Sequence, residues 1–110
     1  MKYLSDVCAA WLGAMIEAEG SAYVRETPGR PAASIQFCNT DPELISVALR
    51  LTQIGTVQQK FHSSPLSRKL ILWWRVECWL DALAHAQQLA PYSPKVQTLM
   101  QQMEEIDRAA

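Results

Sequence analysis

The chain has 110 residues and a mass of 12.4 kDa, room for one domain with its own core and not for a second. Hydrophobic residues make up 49% and charged ones 19%, with four Gly and six Pro and no low-complexity tract, a composition that excludes disorder. Ten basic residues stand against eleven acidic ones, for a net charge of −1 and an isoelectric point near 6.1, which taken whole argues against a nucleic-acid partner.

Leu4, Val7, Cys8, Trp11, Leu12, Met15 and Ile16 recur at the spacing of a helix face and predict a first helix with that side turned inward. Ala10, Gly13, Ala14 and Ala18 form a second stripe, small enough for another backbone to approach. After Gly20 the period changes to two: Ala22 and Val24 alternate with Tyr23 and Arg25 in a strand over 21–26. A turn at 27–31 leads to a second strand through Ile35–Cys38. Asp41-Pro42-Glu43 is a helix start, with Asp41 as cap and Pro42 at the first position. Leu44, Val47, Ala48, Leu51 and Ile54 give that helix its inner face, and Gly55 its stop. Two more strands are predicted at 56–62 and 69–78, then a helix over Trp79–Leu89 ended by Pro91. Ser93-Pro94 opens a last helix with Val96, Leu99, Met100, Met103 and Ile106 inward. The order αββαββαα predicts an α+β domain over 1–110, a single antiparallel four-stranded sheet with its helices on one face.

Several residues carry no special chemistry on this reading. Cys8, Cys38 and Cys78 are odd in number, lack a C-x-x-C spacing and sit among apolar neighbours, so buried free thiols are expected. Trp11, Trp74 and Trp79 anchor the core, and Trp73 points to the other side of its strand. His85 has no partner at metal-ligand spacing. No apolar run approaches a membrane span and the first residues do not form a signal peptide. The expected protein is soluble and intracellular, cytoplasmic or in the nucleoid, or in an organellar matrix if its gene is organellar, with no membrane or small-molecule partner.

Chemistry concentrates at Leu12-Gly-Ala-Met-Ile-Glu-Ala-Glu-Gly20, where the first helix meets the first strand. A carboxylate at a helix C-terminus opposes the helix dipole, so Glu17 and Glu19 cost stability there unless a cation or donor lies near. Both acids also read as solvated helix-end residues, with Gly20 an ordinary left-handed cap. The segment resembles the motif of the LAGLIDADG homing endonucleases, with five of nine positions conservatively changed and acids at both expected places. That resemblance implies that motif helices of two domains pack together and that the last acid of each holds a divalent ion, Mg²⁺ or Mn²⁺, near the scissile phosphates. A one-motif chain would then act as a homodimer on double-stranded DNA, with Ala10, Gly13, Ala14 and Glu17 at the interface. Glu19 would be the metal ligand. Asn39 matches either a water-positioning polar residue of the family or a turn residue. Lys95 matches either its active-site basic residue or a solvated lysine.

The near-zero net charge hides an uneven distribution. Residues 21–75 hold seven basic and three acidic side chains, a net of +4, and the flanks together hold −5. Tyr23, Arg25, Arg30, Gln36, Gln58, Lys60, His62, Arg68, Trp73 and Arg75 are the candidate DNA contacts, with Ser34 on the same alternating face; Arg, Lys and Gln read base edges and neutralise phosphate. The expectation is a site-specific DNA endonuclease encoded by an intron, an intein or a phage gene. The rival is a non-cutting DNA-binding regulator or splicing helper of the same fold, and a third reading is an interaction domain unrelated to DNA.

Overall fold

The computed structural model describes residues 3–25, 31–64 and 67–109, with backbone alone at 60–64 and 67–69. Helix α1 spans Asp6–Glu19, and the Ser5 hydroxyl caps it by accepting the Cys8 N–H at 3.2 Å. Its buried side is Ala9, Leu12, Gly13 and Ile16. Val7, expected inward, is 80% exposed. The helix is apolar on nearly every side, so periodicity alone did not single out one face, and the small Ala9 and Gly13 face the closest packing. A Cβ on Gly13 would lie 2.8 Å from the Tyr92 Cβ and 3.5 Å from the Leu89 carbonyl.

Strand β1 (Gly20–Arg25) begins at the residue after α1 ends. Gly20 is extended, with φ −130° and ψ −166°, and does not make the left-handed exit expected of it. Glycine is required there for space: a Cβ would collide with the Gln36 carbonyl and come within 2.9 Å of the Phe37 Cβ. Strand β2 (Ala32–Asn39) pairs antiparallel with β1, placing Gly20 opposite Phe37 and Tyr23 opposite Ser34.

Helix α2 (Pro42–Thr52) starts as expected, with the Asp41 side chain accepting the Glu43 N–H at 2.9 Å. Its stop is Gln53 in the left-handed region, φ 58°, and not Gly55. Gly55, φ 102°, clears space for Trp74, whose indole N–H donates to the Ile54 carbonyl at 3.1 Å. The buried residues of α2 are Ile45, Ala48 and Thr52, with Leu44, Val47 and Leu51 half-buried at the margin.

Strands β3 (Thr56–Ser64) and β4 (Ser67–Val76) complete an antiparallel sheet of order β1-β2-β4-β3. Helix α3 covers Trp79–Leu89, with Cys78 as its N-cap and not, as expected, the end of the strand. Pro91 lies inside a 3₁₀ turn, Ala90–Tyr92, that joins α3 to α4 (Pro94–Ala109). The expected order αββαββαα and the α+β class hold.

The core is one layer deep between sheet and helices. Ala33, Ile35 and Phe37 of β2 and Leu72, Trp74 and Val76 of β4 alternate inward against Leu12, Ile16, Ala48, Ala86, Leu99 and Met103. Phe37 lies 5.8 Å from Trp74 and takes the edge of Trp11 at 6.3 Å between ring centroids. Truncating such a fully buried ring costs about 3–5 kcal/mol. The three cysteines are free, but Cys8 and Cys38 are half-buried and Cys78 is exposed, against the expectation of burial. Among the described residues no helix is long and apolar enough to cross a membrane.

Candidate active site and nucleic-acid interface

Two acids end α1, and each finds its own compensation. Glu17 accepts the Ser93 hydroxyl at 3.0 Å and the Lys95 backbone N–H at 2.9 Å. These donors are the first groups of α4, so a carboxylate disfavoured by the dipole of its own helix sits at the favourable end of another. The Lys95 N–H, reinforced by Ser93 and the Lys95 charge, holds the Glu17 carboxyl below its usual range. Glu17, expected at a dimer interface, thus has its carboxylate engaged within the chain.

Glu19 is exposed, and its Oε2 accepts the Asn39 amide N–H at 2.6 Å. The Asn39 carbonyl oxygen in turn accepts the Asp41 N–H at 2.8 Å, an Asx turn that fixes the amide while it faces Glu19. The two readings of Asn39, turn residue and site residue, are therefore compatible. Lys95 turns back from α4, and its Nζ donates to the Gly20 carbonyl at 3.0 Å, a cation at the carbonyl end of α1. Glu19 and Asn39 come from α1 and the end of β2 to one corner, and Lys95 of α4 is tied to the backbone of the next residue, Gly20. An open groove of about 450 Å³ there is lined by Glu19, Cys38, Asn39, Thr40 and Ile71. Burial, and then the Glu19 charge, pushes the Cys38 thiol up, so it stays protonated near neutral pH.

The corner opens onto the sheet face that carries no helix. Tyr23 is 39% exposed there. Ser34 and Gln36 lie on that face but are buried, at 0% and 8% exposure, because they occupy a central strand flanked by long side chains. The Gln36 amide donates to the Ser21 hydroxyl at 3.0 Å. Gln58, Gln59, Trp73 and Arg75 line a groove of about 630 Å³, with the Arg75 guanidinium 6.0 Å from the Trp73 ring centroid. Arg25 and Arg75 both reach Glu77. Lys60 pairs with Ile71, His62 with Lys69 and Ser63 with Arg68 in the β3–β4 ladder, though their side chains, and Arg30 altogether, lie outside the described residues.

The outward stripe of α1 is Val7, Ala14 and Ala18, all exposed, with Ala10 half-buried. Gly13, assigned to that stripe, is buried against Tyr92 of the same chain. Glu77 and Ser93 escaped notice as site residues. Ser93 carried a cap signal, but its partner Glu17 lies 76 positions away, and nothing local marks Glu77.

No family model matches the sequence, and no curated protein matches it. Solved structures do. The homing endonuclease I-CvuI, in complex with its target in the presence of calcium, superposes with a TM-score of 0.69 at 13% identity, over 94% of this chain and 70% of that one. The fold is that of the LAGLIDADG homing endonucleases. The LAGLIDADG meganuclease I-AabMI bound to uncleaved DNA gives 0.63 at 14% identity over 92% of this chain and 37% of that one. The archaeal intron-encoded homing endonuclease I-Vdi141I, complexed with DNA, gives 0.60 at 18% identity over 79% and 56%. In this LAGLIDADG fold the corner offers a hard cation the right kind of donor, a carboxylate without a thiolate beside it. Among the described residues no group of three His, Cys, Asp or Glu stands together, and Glu19 is the one carboxylate that lines the groove.

Proposed function

We propose that the chain is one subunit of a site-specific DNA endonuclease, a homodimer that hydrolyses both strands of a duplex with Mg²⁺ or Mn²⁺ at the ends of its two α1 helices. The observation that best supports this is the exposed Glu19 carboxylate held by Asn39 where α1 meets the sheet, with Lys95 bonded to the backbone of the next residue. Glu19 would hold the ion together with oxygens of the DNA. When bound, such an ion stabilises charge on the phosphate and lowers the pKa of water. Asn39 fixes the Glu19 carboxylate, and Lys95 adds positive charge where phosphate charge develops. Tyr23, Gln58, Trp73 and Arg75 would meet the DNA, and Lys60, His62, Arg68 and Arg30 are proposed with them. Ala10 and Ala14, with Val7 and Ala18, would form the α1–α1 contact, and two-fold symmetry would then imply a pseudo-palindromic target.

The test is cleavage of a randomised duplex library with Mg²⁺ by the parent chain and by Glu19→Gln, which keeps the side-chain shape. The parent cuts a defined sequence, and the variant loses cutting by a hundredfold or more, the scale of ~10² seen when one preorganised stabilising group is removed from an active site. Equal cutting by both would sink the catalytic assignment. The second reading is a DNA-binding regulator or splicing helper that does not cut, in which the Asn39 bond to Glu19 serves the fold alone. Metal-independent, salt-dependent binding without nicking would select it.

A further inference from the structure

Away from the Glu19 corner, the helix-free face carries an ion bridge whose acid, Glu77, has no part in the endonuclease reading. Glu77, the residue after β4, accepts through one oxygen from Arg25 Nη1 at 3.2 Å and from Arg75 Nη1 at 3.3 Å. Arg25 ends the edge strand β1 and Arg75 lies in the central strand β4, with β2 between them, so the bridge spans β2. Ser34 of that strand is fully buried on a face without helices, and among the described residues its hydroxyl has no hydrogen-bond partner; neither has the buried Arg75 Nε. The closed bridge thus engages two of the cations this face offers to an anion, beside buried polar atoms left unpartnered.

We propose that Glu77 is a built-in competitor for phosphate, holding Arg25 and Arg75 in a closed pair that a DNA backbone must displace. The proposal rests on the DNA-binding reading above and adds a determinant of selectivity to it. Carboxylate and phosphate compete for guanidinium in the same manner, through charge-assisted N–H···O bonds. The side chains of Arg25 and Glu77 are each 46% exposed and that of Arg75 24%, so the bridge is screened and weakly held. A complex with many base contacts displaces it easily. A sequence-independent encounter, which depends on phosphates alone, loses a larger share of its affinity.

The test is duplex binding by the full chain on DNA of arbitrary sequence, titrated across salt from about 50 to 200 mM, a range over which phosphate contacts dominate. Glu77→Gln binds about threefold to tenfold tighter near 0.1 M salt, and its log–log salt slope steepens by about 0.9 for each arginine released. Glu77→Ala repeats the result with a different side chain, and thermal midpoints matching the parent keep folding out of the comparison. Glu104→Gln on α4, whose partner Arg108 is 3.9 Å away, removes the same charge elsewhere and leaves affinity and slope unchanged. Parental affinity and slope in Glu77→Gln, or an equal gain in Glu104→Gln, overturn the proposal and leave the DNA-binding reading standing. Absence of duplex binding by every variant at low salt overturns both.

Discussion

The Glu17 carboxylate accepts the backbone N–H of Lys95 at 2.9 Å, so the carbonyl end of α1 meets the amide end of α4. One acid relieves two helix termini, and it sets the height at which Lys95 turns back to Gly20. Glu17→Gln keeps the shape but weakens the charge-assisted bond. It lowers the thermal midpoint by a few degrees, as the loss of a helix cap does. The difference depends on pH with a defined sign. The folded carboxyl titrates below its ordinary 4.5, so its stabilisation is complete above that value and is lost as pH falls through the lowered one. Melts of parent and variant therefore converge in acid.

Gly20→Ala destabilises through overlap, since its extended backbone suits any residue. The colliding atom is the Gln36 carbonyl in a paired strand, which cannot swing away as a side chain can. We expect a loss of about 3 kcal/mol, the upper part of the usual overpacking range, read by urea denaturation. Gly13→Ala, which meets only the Tyr92 Cβ under 3.0 Å, costs less.

His85 supplies a second pH dependence, in a separate window. Its ring is fully buried on α3, with Nδ1 donating to the Asp81 carbonyl at 2.9 Å and Nε2 without a partner among the described residues. Burial is the main cause that lowers its pKa from the ordinary 6.5. Neutral His85 is accommodated above that value. As pH falls below it, the unfolded chain takes up the proton more readily and stability drops until the folded group titrates too. Denaturant midpoints recorded from pH 7.5 downward show this decline beginning at about 6.5, and His85→Leu flattens that part of the curve.

Asn39→Ala separates positioning from folding at the corner. It removes the donor that holds Glu19 and the acceptor for the Asp41 N–H. Loss of a group that orients a metal-ligating side chain typically costs ten- to hundredfold in metal affinity. On the proposed role of Glu19, cleavage then needs about that much more Mg²⁺, with circular dichroism unchanged; an unaltered Mg²⁺ dependence would place Asn39 in the turn alone.

The period-two alternation of β1, the Asp41-Pro42 start of α2 and the inward face of α4 were legible because each is decided by neighbours in sequence. So was the acid-bearing junction, since a helix pattern that stops at a glycine and restarts as a strand is a local event. Three things were not legible. Gly13 falls in the outer stripe of α1 by spacing, and what buries it is Tyr92 and Leu89, which lie more than seventy residues later. Gly20 announces a glycine but not its reason, which is the nearness of β2. The partners of Glu17 and Glu77 become neighbours only when the sheet and α4 assemble, and surface charge in a sequence carries no sign of which charge it meets.

Helix α1 passes into β1 without a single connecting residue, and this makes the placement of Glu19 a matter of strand register. An insertion between Glu19 and Gly20 would invert the alternation of β1, sending Tyr23 and Arg25 toward the core and Ala22 and Val24 to solvent. Exchanges at Gln58, on the far edge strand β3 of the same face, would leave that seam untouched. On the proposed function, what the molecule recognises can therefore drift while the position of its acid stays put.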